Sequence, residues 1–222
     1  MKGPVNHEGE TPARLTRAQA QARTRAALLE AAASLFAERG FHGTSVEEVV
    51  ARAGFTRGAF YSNFSDKADL FLAVLDHRTN ADRAALTPLI STAPSLDALV
   101  GRLAARPPDD EGRDADRQWQ LLLTEFRLHA LREPDVRPRL AAWEQAQRSA
   151  YRAAVEHLFA ASGLEPPGDP GLIALIIQTL VDGVAVHQMI EGDALGPHPF
   201  LDTLDLLIRA STALAASLDQ ER

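Results

Sequence analysis

Arg57, Gly58, Tyr61, Ser62 and Asn63 lie within seven consecutive positions. Together they offer a guanidinium fork that fits guanine, a bare glycine that allows close approach, and hydroxyl and amide groups for phosphate or base edges. That is recognition chemistry. Bond-making chemistry has no comparable constellation. The chain has no cysteine and seven scattered histidines, among them His129, His157 and His187. It has no HExxH or Gly-x-Ser-x-Gly arrangement, and no glycine loop shaped to cradle a phosphate. The adjacent carboxylates Glu47 and Glu48 fall at a helix start, where capping accounts for them. The chain therefore reads as a non-enzymatic binding protein without metal or cofactor.

The residues around this group have to hold it in place. Ser45 and Glu48 form a capping box, so a helix begins there, with Val46, Val49, Val50 and Ala53 on one face. Gly54 permits a sharp turn, Phe55 plugs the space beside it, and Thr56 caps a following helix whose inward face is Ala59, Phe60 and Phe64. Two helices joined by about three residues have the spacing of a helix-turn-helix unit, whose second helix enters the major groove. Taken alone, the same pattern also fits a plain helical hairpin.

Composition extends the helical reading to the whole chain. Alanine, leucine and arginine dominate, and no alternating strand pattern occurs between turn signals. Glycine and proline punctuation predicts an all-α protein of nine helices. A first helix runs from about Thr16 to Arg39, and a fourth from Ser65 or Asp66 to about Leu86, before Pro88. The later helices run from Ser95 to Ala105, Asp114 to Arg132, Asp135 to Ser162, Pro170 to Ile190 and Pro199 to Leu218. The predicted organisation is a disordered arm over residues 1–15, a reading domain over 16–65 and a larger helical domain over 66–222.

A formal charge of -7 seems wrong for a partner of DNA. From Thr11 to Lys67, however, eight basic and five acidic residues leave a surplus of three positive charges, so the acidity lies in the remainder. Such an arrangement orients a basic face toward the polyanion. Arg14, Arg17 and Arg23 are candidates for an arm reaching a phosphate or an adjacent minor groove.

The stretch TSVEEVVARAGFTRGAFYSNFSDKADLF, from Thr44 to Phe71, resembles the N-terminal domain of the tetracycline-repressor (TetR) family almost position by position. LLEAAASLFAERGFHGTSV, ahead of it and overlapping its start, is similar to the family's first helix and the link to its second. The resemblance implies that Thr44 and Ser45 contact phosphate, that Tyr61 and Lys67 make further backbone contacts, and that Arg57, Gly58, Ser62 and Asn63 face bases, beside the Thr56 cap. It also implies a homodimer on a double-stranded operator, with a larger domain that answers to a small-molecule effector. Helix 4 is then the connection between effector and reader. The expected function is that of a repressor that leaves its operator when a small molecule occupies the larger domain.

Candidate ligand-binding residues are Trp119, Phe126, His129, Trp143, Tyr151, Gln178 and Asp182, which bring apolar bodies with polar handles to the middle helices. Each also fits core, interface or surface. Pairing needs an apolar surface, and Ile177, Val181, Val184, Leu204 and Ile208 of the last two helices are the dimer-interface candidates. The helix from Gly171 to Ile190 approaches membrane-spanning length but contains Gln178, Asp182, His187 and Gln188. It reads as a buried helix of a soluble protein, since a central carboxylate costs roughly 3 kcal/mol on insertion. With no cysteine and no apolar signal core at the N-terminus, the expected location is the cytoplasm. Two other functions fit the same residues: a ligand-independent DNA-binding protein, and a helical ligand binder that has lost DNA binding.

Overall fold

The computed structural model describes residues 16–105 and 110–220; the expected arm over 1–15, with Arg14, lies outside the described residues. Nine α-helices and one 3-10 turn, with no strand, make up the regular structure of the described residues. The first is α1 (Arg17–Arg39), capped by Thr16, whose hydroxyl accepts from the Gln19 N–H while the Gln19 side chain accepts from the Thr16 N–H. Then come α2 (Val46–Ala53) and α3 (Arg57–Tyr61). The Ser45–Glu48 capping box is present, and Gly54 turns the chain at φ 73°, a left-handed conformation that favours glycine.

Beyond the turn, α3 is shorter than its sequence suggests. It ends at Tyr61, and Ser62 and Asn63 form a turn that carries Phe64 back into the core. Next is α4 (Lys67–Ser91), capped by Asp66, and it passes Pro88 before stopping. A proline only four positions from the helix end removes a single hydrogen bond, and Thr92 N–H still closes on Pro88 O. The remaining helices are α5 (Leu96–Ala104), α6 (Asp110–Arg132), α7 (Arg137–Ser162), α8 (Pro170–Glu191) and α9 (Pro199–Gln220).

One core ties the N-terminal helices to the body. Phe36, Phe41, Phe71 and Phe126, from α1, the turn after it, α4 and α6, are all fully or almost fully buried. Phe71 stacks on Phe126 with centroids 4.4 Å apart, and Phe41 meets Phe126 edge-on at 5.0 Å. Leu122, Leu123, Ala130 and Leu140 belong to the same cluster as Val49, Phe60 and Phe64, so the apolar interior runs unbroken past residue 65. Polar links reinforce it. Arg139 of α7 grips Asp66 through both carboxylate oxygens, at 2.8 and 2.9 Å.

The structure corrects the reading of the apolar helix as buried. Only Ala174 and Gln178 of α8 are buried. Leu172, Leu175, Ile176, Val186 and Ile190 are exposed, Ile190 by 75 %. Their spacing puts them on one stripe. By length and mean hydropathy this helix is apolar enough to cross a membrane, but Gln178 and Asp182, on the flank of that stripe, make polar contacts with α7 and α6.

Candidate nucleic acid interface and effector cavity

Local sequence builds the reading head. Thr56 accepts from Ala59 N–H at 3.3 Å and starts α3, whose fully buried Phe60 joins the common core. Arg57, Gly58, Tyr61 and Ser62 are left exposed. In the free protein Arg57 is folded back, with Nη1 2.9 Å from Glu47 Oε1 and Nη2 donating to the Tyr61 hydroxyl at 3.3 Å. Both partners are solvent-exposed, so exchanging them for DNA costs little.

Gly58 has ordinary helical geometry, and a Cβ placed on it would meet only Thr56 Oγ1, at 3.8 Å. The fold therefore does not need this glycine. Gly58→Ala is expected to leave thermal stability unchanged or raise it by about 0.5–1 kcal/mol while weakening operator binding. Equal binding by both forms would show that DNA does not approach this position.

Several residues expected at DNA have internal partners. Thr44 is 2 % exposed, and its hydroxyl donates to Gly40 O at 2.9 Å, with Leu35 O at 3.2 Å. Its side chain is a buried tie and is not presented at the surface. The Ser45 hydroxyl and N–H both donate to Glu48 Oε2, at 2.8 and 2.9 Å, and these two bonds hold the Glu48 carboxyl below its usual range. Asn63 turns its amide back to donate to Ala59 O at 2.8 Å, closing the end of α3. Arg25 lies 4.3 Å over the Phe64 ring and donates to Asn63 O, which makes it a brace for α3.

Lys67 departs furthest from its expected phosphate contact. Its ammonium donates to Phe41 O and Thr44 O, both at 2.9 Å, and lies 4.4 Å from the Phe41 ring centroid. Burial pushes its pKa below the ordinary lysine value. Lys67→Ala should lower stability by about 1–3 kcal/mol by leaving two carbonyls unpaired. An unaltered melting curve would return Lys67 to a surface role.

Glu125 of α6 was invisible to sequence reading. Its oxygens accept from Phe41 N–H at 3.0 Å and His42 N–H at 2.8 Å, 84 and 83 residues away. A Cβ on Gly40 would lie 2.7 Å from Glu125 Oε2, and Gly40 has φ 76°, so that turn requires glycine. No local pattern announces such a contact.

Behind the head, α4, α6, α7, α8 and the start of α9 line an open cavity of about 1190 Å³. Trp119, Trp143, Tyr151, Gln178 and Asp182 line it, as expected of ligand-binding candidates. Phe126 and His129 do not. Phe126 is wholly inside the core, and His129 packs 4.8 Å from the Phe41 ring and 5.1 Å from the His42 ring. Burial, with His42 nearby, lowers the His129 pKa.

The lone acid of α8 has a partner. Asp182 Oδ2 is 2.7 Å from Arg127 Nη2, while Glu144 Oε1 accepts from Arg127 Nε at 2.8 Å. Gln178 donates to the other oxygen of Glu144. Burial and then the Asp182 charge raise the Tyr151 pKa. Of the dimer-interface candidates, Val181 and Val184 line the cavity, and Ile177, Leu204 and Ile208 are half-buried.

A helix-turn-helix head sharing its core with a hollow helical body defines a class of DNA-binding regulators. The family description "Bacterial regulatory proteins, tetR family" matches residues 28–74, and "BetI-type transcriptional repressor, C-terminal" matches residues 97–212, just over half of the chain. The chain belongs to the TetR family of transcriptional regulators. The HTH-type transcriptional repressor AcnR of Corynebacterium diphtheriae is 26 % identical over 83 % of this chain and 90 % of its own length. The HTH-type transcriptional regulator AcrR of Shigella flexneri is 48 % identical over 27 % of each chain, and the HTH-type transcriptional repressor BepR of Brucella suis is 45 % identical over 28 % of this chain and 29 % of its own. The similarity to these last two thus spans less than a third of their length. A TetR-family regulator structure from Rhodococcus sp. superposes with a TM-score of 0.67 at 25 % identity, covering 83 % of this chain and 98 % of that one. Salmonella enterica GusR follows at 0.61 and 23 %, covering 89 % and 97 %, which supports the fold. The relatives' names describe regulation and no enzymatic role.

Proposed function

We propose that this protein is a homodimeric, cytoplasmic repressor that binds a palindromic operator and is released when a small molecule fills the cavity. The reading head is assigned to residues 16–65 and the responding, pairing body to 66–222. Arg57, Gly58, Tyr61 and Ser62 face the major groove, with Thr56 toward phosphate.

The observation that carries the reading is the shared use of two helices. The first half of α4 packs in the head, and its second half, from Arg78 to Ser91, lines the cavity. Likewise α6 turns Trp119, Leu123 and Arg127 to the cavity while Glu125 and Phe126 hold the turn after α1. Anything that changes the spacing of the cavity walls therefore moves the head. A ligand preferring the non-binding arrangement ~100-fold contributes about 2.7 kcal/mol of coupling against operator binding.

Dimerisation is assigned to the exposed stripe of α8 from Leu172 to Ile190, because an apolar face of that length needs a cover. Two heads then meet half-sites about one turn, ~34 Å, or a multiple apart. Footprinting on the protein's own upstream DNA, combined with sedimentation of wild type and Ile176→Glu, tests the whole reading. A symmetric footprint and a wild-type dimer are expected, with a folded monomeric variant that loses the operator. A wild-type monomer protecting one asymmetric site would exclude the proposal.

A further inference from the structure

The cavity also indicates what kind of molecule enters it, an inference that rests on its being the effector site. Four arginines line it: Arg78, Arg83, Arg117 and Arg127. Arg127 is neutralised by Glu144 and Asp182, and Arg78 pairs with Asp116 and lies 3.8 Å from Asp82. Arg117, exposed, donates to Met189 O at 3.2 Å.

Arg83 differs from Arg78 and Arg127 in its neutral partners and from Arg117 in its burial. It is half-buried, its Nη2 donates to Gln147 Oε1 at 2.8 Å, and its Nη1 reaches Asn80 Oδ1 at 3.4 Å. Both acceptors are neutral, and among the described residues no carboxylate lies within ion-pair distance of it. Gln147 is itself only 7 % exposed, so the guanidinium is held from behind by a buried side chain. A half-buried planar fork already oriented by neutral acceptors suits a carboxylate.

The surroundings define the rest of the ligand. One and two turns beyond Arg83 on the same face of α4, Leu86 and Ile90 line the cavity, and α7 contributes Ala150 and Ala154. That is a strip of small and aliphatic side chains leading away from one positive charge. A phosphate monoester would bring nearly two negative charges to a cavity already lined by Asp82, Asp114, Asp116, Glu144 and Asp182, so a single carboxylate fits better. We propose that the cavity takes an amphipathic monocarboxylate, its carboxylate on Arg83 and its apolar chain along Leu86 and Ile90.

Both tryptophans of the chain line the cavity, so their emission reports on its contents. The full chain is titrated with decanoate, decanol and decyltrimethylammonium below their micelle concentrations. Decanoate should bind saturably and more tightly than the cation. Arg83→Gln should weaken decanoate ~10-fold or more while leaving decanol within about twofold. Arg83→Lys, which keeps the charge but not the fork, should fall between them. If Arg83→Gln does not fold, the wild-type order of the three probes decides, and preference for the cation overturns the proposal. Equal decanoate affinity in wild type and a folded Arg83→Gln does so too. Decanol or cation binding without decanoate binding removes the carboxylate assignment but leaves an effector cavity, whereas no response to any probe removes both. Arg83-dependent decanoate binding that leaves operator affinity intact supports the site and removes release by this ligand.

Discussion

Phe126→Ala should lower the unfolding free energy by about 3–5 kcal/mol, the range for emptying a phenylalanine site in a close-packed core. Phe126 is fully buried and touches Phe71 and Phe41, the residues through which α4 and the turn after α1 enter the interior. Its loss strikes the junction of head and body, and the effect should reach both. Urea denaturation followed by circular dichroism and by tryptophan emission should shift as one transition, since Trp119 packs against this core while α1 to α3 form its other side. A loss below about 1 kcal/mol, or a shift confined to the tryptophan signal, would mean that the head folds on its own.

Arg57→Ala should cost about 1–3 kcal/mol at one base-pair position and relax the preference there, the usual worth of a bidentate arginine contact in the major groove. Removing this side chain takes nothing from the core, since it is 62 % exposed and its partners Glu47 and Tyr61 are exposed as well. Binding-site selection from a random DNA pool, run for wild type and variant, measures the effect position by position. Uniform weakening over all sequences would make Arg57 a phosphate contact. With Asn63 turned onto Ala59 O, the structure leaves Arg57 as the exposed guanidinium at the start of α3.

Features read correctly from sequence depend on short separations. The Ser45–Glu48 box, the Thr56 cap and the left-handed turn at Gly54 each close over three or four residues, so residue type and spacing suffice to place them. The internal partners that sequence alone did not show have longer reach, or concern which way a side chain turns. Lys67 looked like a phosphate ligand because it is basic and near the head, but the carbonyls it meets are 26 and 23 residues away. Asn63 looked like a base reader because it is polar and follows a recognition helix. A helix of only five residues leaves its last carbonyls within reach of that amide.

The body divides in the same way. Sequence alone determined that α8 is a long apolar helix with an acid at its middle, because composition and period are local properties. It could not determine that Arg127, 55 residues away, neutralises Asp182, or that Leu172, Leu175, Ile176, Val186 and Ile190 stay uncovered within one chain. Those facts depend on the angle at which α8 lies across α6 and α7, which is set by packing. The same holds for Arg83, whose lack of a carboxylate partner among the described residues depends on every helix around the cavity. Helix order, caps and the identity of the reading head were written in the chain because short-range hydrogen bonds and periodicity decide them. Tertiary structure alone decided which charges are already satisfied, because neutralisation depends on distances between residues remote in sequence.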